Sequence, residues 1–199
     1  MGDIHIRNLS KSFGGKKVFD GLNLTIKSGV TTCIMASSGA GKTTLLRILM
    51  GLEATDGGRV AGSEGKRFSA VFQEERLCEY MTAADNIRLV LPPLTGLPVI
   101  LEGMDRLGLS GSRDQPVSEL SGGMRRRVSI LRALLAEYDV LFLDEPFKGL
   151  DEALKGQVMA YVKEKTAGKT VVFVTHDRAE AAVLADEMVE LTKNKLTIA

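Results

Sequence analysis

The chain has 199 residues, 44% of them hydrophobic and 26% charged, the make-up of a globular domain rather than a disordered, collagenous or coiled-coil protein. At ~100–200 residues per domain, this length fits one domain, or one core with a small subdomain. Lys and Arg number 26 against 25 Asp and Glu, a net charge of +1, so nothing draws the whole molecule toward nucleic acid or an anionic membrane. An anionic ligand would need a local site.

Only Cys33 and Cys78 are present, which excludes a disulfide framework or a cysteine metal cluster and suits a reducing cytoplasm. The first ten residues are polar and charged, without the apolar core of a signal peptide, so export is not expected. The weakly polar stretch 89–101 contains Pro92, Pro93 and Pro98 and is short of the ~20 apolar residues a spanning helix needs. Work at a membrane would require a membrane-embedded partner.

In chain order, the first thirty residues alternate through Ile4, Ile6, Val18, Leu22, Leu24 and Ile26, broken at Gly14-Gly15 and Ser28-Gly29, and read as short antiparallel strands. An apolar run over 31–36 leads into Ser37-Ser38-Gly39-Ala40-Gly41-Lys42. A helical pattern through Leu45, Leu46, Ile48 and Leu49 then stops near Gly51. Buried strands are expected at 69–72, 140–143 and 170–175, and helices at 122–136, 151–165 and 178–185. This alternation predicts an α/β fold with a mostly parallel sheet. Between Gln73 and Ser121, short helical patterns flank the bend at Pro92-Pro93, so about 80–135 is expected to be a helical subdomain inserted in the sheet's connectivity. Residues 187–199 read as one or two edge strands, with no room for a C-terminal regulatory domain.

Three motifs carry chemistry. Ala36-Ser37-Ser38-Gly39-Ala40-Gly41-Lys42-Thr43-Thr44, between a strand and a helix, resembles a P-loop. In such loops backbone N–H groups wrap phosphates, the lysine bridges β and γ oxygens, and the next hydroxyl ligates Mg²⁺. The strict pattern begins with Gly where this chain has Ala36. A Cβ at a left-handed position would cost ~1–2 kcal/mol, against roughly 8 kcal/mol for micromolar nucleotide binding, so binding is weakened at most. Downstream, Leu120-Ser121-Gly122-Gly123-Met124 opens a helix with an N-capping Ser121 and two glycines that let a phosphate approach. Then Leu141-Phe142-Leu143-Asp144-Glu145-Pro146 ends an apolar strand in an acidic pair, which places one carboxylate to hold a metal and the other to orient water.

In this order, the three motifs make the sequence resemble the nucleotide-binding subunit of an ABC transporter across nearly its whole length. The resemblance implies a RecA-like P-loop NTPase core, one ABC ATPase domain over 1–199, and ATP and Mg²⁺ as cofactors. It implies that Phe13 stacks on adenine, that Ser38, Gly39, Ala40, Gly41, Lys42, Thr43 and Thr44 hold phosphate, and that Thr43, Asp144 and the Q-loop Gln73 serve the metal. Ser121 and Gly123 become γ-phosphate donors, with Gly122 between them also nucleotide-binding, Glu145 the catalytic glutamate, Asp151 the D-loop residue, likewise nucleotide-binding, and His176 the switch histidine; Lys42 and Gln73 also belong to the catalytic set. The signature of one subunit would complete the P-loop site of another, so a homodimer is implied, together with transmembrane permease subunits, an extracytoplasmic substrate-binding protein and a place on the cytoplasmic face of the membrane. Phe72-Gln73-Glu74-Glu75-Arg76-Leu77 and the run 145–151 are similar to the nitrate, sulfonate and taurine importer group.

Other readings stay open at this level. Phe13 alone equally suits strand or turn packing, His176 a polar strand cap, and Gln73 the start of a solvated charge run. Arg125, Arg126 and Arg127 point in different directions on a helix and are expected on a surface facing solvent or a partner, not as a nucleic-acid patch. Met124 stands where the family most often has Gln. Alternatives to a transporter subunit are a soluble ABC ATPase acting in nucleic-acid or ribosome processes, and a degenerate nucleotide sensor.

Overall fold

The computed structural model describes residues 2–37, 39–92, 96–192 and 195–198. Ser38, Pro93 and Ala199 therefore lie outside the described residues. In chain order the elements are β1 (Ile4–Phe13), β2 (Lys16–Ile26), β3 (Thr31–Ala36), α1 (Lys42–Leu49), β4 (Gly57–Ala61), β5 (Phe68–Val71), α2 (Ala83–Arg88), α3 (Leu97–Arg106), α4 (Gly122–Leu135), β6 (Val140–Asp144), α5 (Glu152–Thr166), β7 (Thr170–Thr175), α6 (Arg178–Leu184), β8 (Glu187–Thr192) and β9 (Lys195–Ile198). The main sheet runs β5-β6-β7-β3-β8-β9, parallel except for the antiparallel pair β8–β9. The smaller sheet, β2-β1-β4, is antiparallel.

The central strands are buried on both faces, which is why their sequences are continuous apolar runs rather than alternations. Successive residues feed two separate cores. Cys33, Leu141, Leu143, Val171 and Phe173 join one cluster with α2–α6, including Ile87, Met104, Leu131 and Val158. Ile34, Phe142, Val172 and Val174 join the other with α1 and the small sheet, including Leu45, Leu46, Phe19 and Ile6. At roughly 1.5–3 kcal/mol per fully buried aliphatic or aromatic side chain, these two layers clamp the middle of the sheet, which carries β6, β7 and β3. The C-terminal ends of those three strands form one rim, where open α/β sheets bind ligands.

Several expectations are corrected. The first strands are not short: β1 and β2 have 10 and 11 residues, with register shifts at Ile6/Leu9 and Leu9/Lys11 that bend them. The third strand of that sheet, β4, is missed by a pattern reading because Gly57-Gly58 looks like a turn. Gly58 has φ 78°, and a Cβ there would lie 2.3 Å from the Asn8 carbonyl oxygen, so glycine permits the close pairing with β1. Nor is β8 an edge, since it pairs with β3 on one side and β9 on the other. Two of the three arginines in 125–127 face inward rather than outward: Arg126 is 3% exposed and Arg127 7%.

Candidate active site

The loop after β3 turns on Gly39 and Gly41, with φ 77° and 94°. Gly41 caps α1 without a side-chain hydrogen bond, whereas Ser121, Asp151 and Asp177 cap α4, α5 and α6 with their side chains. The leading N–H groups of α1 are thus left to a ligand, and the helix dipole favours an anion there. Ala36 is still strand: it ends β3 and does not take a positive φ, so its Cβ carries none of the strain considered above. Its carbonyl accepts a 2.8 Å hydrogen bond from Lys42 Nζ, which closes the loop on itself. The Ala40 N–H donates to the Ser37 carbonyl at 3.2 Å.

Across the rim, β6 delivers the acidic pair. The Thr43 hydroxyl donates to Asp144 Oδ2 at 2.7 Å. Burial pushes the Asp144 carboxyl up, opposed by the Thr43 hydrogen bond and reinforced by the neighbouring Glu145 charge. Glu145 leaves the strand at φ 46°, a left-handed conformation that costs a non-glycine residue of order 1–3 kcal/mol and marks functional sites. Its Oε1 lies 3.4 Å from Lys42 Nζ and 3.4 Å from His176 Nδ1, and its Oε2 is 3.6 Å from Lys148 Nζ. Burial alone would raise the Glu145 carboxyl, but Lys42, His176 and Lys148 together hold it below the usual carboxylate range. The result is two adjacent carboxylates shifted in opposite directions.

These groups line a cleft of about 490 Å³ with Gly39, Gly41, Thr44 and the exposed Gln73, which follows β5. Lys148 and Val18 line it too and were missed; Lys148 had a signal, a cation three residues after Glu145, whereas Val18 reaches the cleft only through the packing of β2. Phe13 does not line it: it ends β1, 47% exposed, under Lys11 Nζ at 4.8 Å from the ring centroid. Ser121, Gly122 and Gly123 are also elsewhere, at the start of α4, where Ser121 Oγ accepts from the Met124 N–H at 3.2 Å. They adjoin the loop leading to Asp151, since a Cβ on Gly123 would sit 3.6 Å from the Gly149 carbonyl oxygen. Asp151 Oδ1 caps α5 through the Leu154 N–H at 3.0 Å.

The donor chemistry fits Mg²⁺ and a polyphosphate. Thr43 Oγ1 and Asp144 Oδ2 are hard oxygens already in contact, Gln73, whose side chain carries an amide oxygen, lines the same cleft, and such partial sets suit a cation that keeps water and phosphate in its shell. Lys42 and the uncapped α1 terminus supply the matching positive charge.

Comparison with known proteins agrees with this geometry. The ABC transporter family profile matches residues 19–148. An aliphatic sulfonates import ATP-binding protein of Paraburkholderia xenovorans is 36% identical over 195 residues, covering 97% of this chain and 78% of the relative. A probable sulfate/thiosulfate import ATP-binding protein of Chlorella vulgaris is 37% identical, covering 97% and 89%. A spermidine/putrescine import ATP-binding protein of Haemophilus influenzae is 34% identical, and there the chain spans only 56% of the relative's length. With that profile over most of the chain and the phosphate loop and acidic pair in one cleft, the chain belongs to the ABC transporter family.

Proposed function

We propose that the chain is an ATP-hydrolysing subunit that powers import of a small solute through a membrane permease. The observation that carries this is the meeting of Lys42, Thr43, Asp144, Glu145 and His176 in one cleft beside an uncapped helix terminus. In this reading Lys42 and the α1 N–H groups bind the β and γ phosphates, and Thr43, Asp144 and Gln73 hold Mg²⁺. Mg²⁺ held there would neutralise developing phosphoryl charge. Glu145, kept ionised by its cationic neighbours, orients the attacking water, and His176 steadies the carboxylate from the solvent side. Phosphoryl transfer asks mainly for such positioning and charge neutralisation.

Ser121 and Gly123 stand apart from the cleft of their own chain, which supports a second copy supplying them in a homodimer. The chain is read as one ABC ATPase unit in which about 80–135 forms the helical subdomain. Among the described residues no helix is long and apolar enough to cross a membrane, so permease subunits would provide the path, with an extracytoplasmic substrate-binding protein, and this chain would sit on the cytoplasmic face. The sulfonate and sulfate/thiosulfate import relatives support a small-solute importer, and the likeness of 72–77 and 145–151 places it in the group that handles nitrate, sulfonate or taurine in this reading.

The test is ATP turnover and nucleotide binding by Glu145→Gln. A fall of about 10²–10³ in turnover with ATP binding retained is expected; wild-type turnover in the variant would refute the assigned chemistry. Co-purification in mild detergent with a multi-span permease is the matching test of the transporter role.

A further inference from the structure

The loop that carries Gln73 is held by the face of α4. The β5–β6 ladder ends at Val71 and Leu143, so the carbonyls that follow have no sheet partner there. Arg126 supplies one: Nη1 donates to the Phe72 carbonyl at 2.6 Å and Nη2 to the Gln73 carbonyl at 2.8 Å. Ser129 Oγ donates to Glu75 O at 3.3 Å, and Arg132 Nη2 donates to Glu75 O at 3.2 Å and Arg76 O at 3.0 Å. Residues 126, 129 and 132 recur at helical spacing and thus form one stripe along α4. The segment they grip ends at Arg76 with φ 48°, a strained backbone that needs holding.

Arg126 is an expensive choice for a plain structural role. It is 3% exposed, its Nε has no hydrogen-bond partner among the described residues, and both hydrogen-bonding arms go to neutral carbonyls. A buried guanidinium held only by carbonyls costs desolvation that an apolar side chain would avoid. Two features offset that cost. The arms fix two successive peptide units in one geometry, and the cation feels the charge of Glu75 on the same loop and, more weakly, of Asp144 and Glu145 at the cleft.

We propose that Arg126 is a positioning residue that sets Gln73 against the metal side of the cleft and ties it to α4, so that Gln73 and the Ser121–Gly123 terminus of that helix shift together. This rests on the functional reading above. Gln73 lines the cleft while its backbone is pinned, so a displacement of α4 by a neighbouring molecule reaches the metal side of the cleft through these two hydrogen bonds as well as through the core that α4 shares with β5.

The experiment compares the full chain with Arg126→Met and Arg126→Lys in two ways: limited trypsin cleavage after Arg76 without nucleotide, and ATP turnover across a Mg²⁺ titration. In Arg126→Met, cleavage after Arg76 is expected to accelerate about tenfold while other sites keep their rates. Half-saturating Mg²⁺ should rise about tenfold and kcat should fall about ten- to a hundredfold, with KM for ATP within about twofold. Arg126→Lys, one donor head reaching one carbonyl, should fall between. Unchanged Mg²⁺ dependence with unchanged cleavage overturns the proposal. So does a uniform gain in cleavage at all sites, which would make Arg126 a stabiliser of the whole fold; if the Met variant does not fold, the Lys variant is judged by the same readouts. A wild-type chain that neither binds nor turns over ATP counts against the functional reading instead, and the cleavage pattern still decides whether Arg126 holds the loop.

Discussion

The Thr43 hydroxyl donates to the Asp144 carboxylate at 2.7 Å, joining the first turn of α1 to the last residue of β6 across 101 positions of sequence. That contact draws together a hydroxyl and a carboxylate suited to one divalent cation. It also carries a cost, because Asp144 is buried and its carboxyl is pushed up.

The cost makes a first prediction. A carboxyl raised in the folded state favours folding when protonated and loses that contribution as pH rises through its folded pKa, so at neutral pH ionised Asp144 is a liability. Asp144→Asn should therefore raise the melting temperature of the nucleotide-free protein by about 2–4 °C, as expected for ~1 kcal/mol at this chain length. Turnover should collapse at the same time. Thermal melts at pH 7 and at pH 4 check it, with the difference shrinking at the lower pH.

The phosphate loop gives a second. Ala36 sits in strand conformation and is buried, so Ala36→Gly should not improve nucleotide affinity and should cost about 0.5–1 kcal/mol of stability. Gly41→Ala should behave quite differently: its φ is 94° and the new Cβ would lie 2.5 Å from Val18 Cγ1 and 2.9 Å from Phe19 Cζ. Left-handed strain and overpacking together put the loss at about 2–4 kcal/mol. Isothermal titration with ATP and chemical denaturation separate the two.

Behind His176 lies an ionic cluster. Lys155 Nζ of α5 contacts Asp177 Oδ2 at 2.7 Å and Glu180 Oε1 at 2.8 Å, and Thr175 Oγ1 donates to Glu180 Oε2 at 2.6 Å. Lys155→Met leaves Glu180, 6% exposed, without its cation and should destabilise by about 2–3 kcal/mol, the lower end for a buried pair because Asp177 is a third exposed. Adding Glu180→Leu should recover much of it. The Lys155 hydrogen bond leads the effects that hold the Asp177 carboxyl low, a contribution present above its unfolded pKa and lost as pH falls through its folded one. The acid limb of the stability curve should therefore flatten in the Lys155 variant, measured by urea melts between pH 3 and 7.

Thiol chemistry supplies a fourth. Cys33 is fully buried in β3, and burial, with a contribution from the Glu180 charge, pushes its thiol up to about 12. Cys78 is exposed. A disulfide reagent should titrate one thiol in the native protein and the second only after unfolding; rapid reaction of both would mean that the sheet opens locally.

The parts with local signals were legible from residue order alone. Strand, glycine-rich loop and helix at 31–49, the capped helix from Ser121 and the acidic end of β6 each follow from periodicity and capping within a few residues. Their identities alone announce phosphate and metal chemistry. The remainder was settled by contacts between distant segments. Ala36 is unstrained because its pairing with Leu191 of β8 keeps it in strand conformation at the point where the loop pattern begins. The arginine run looked solvent-facing because polar residues on a helix usually are, yet the unpaired carbonyls at Phe72, Gln73, Leu107 and Gly108 turned Arg126 and Arg127 inward. β4 formed from a glycine pair because β1 had an open edge and glycine admits close approach. In each case the deciding quantity was an unsatisfied backbone group presented by a segment tens of residues away, which only the register of the finished sheets reveals.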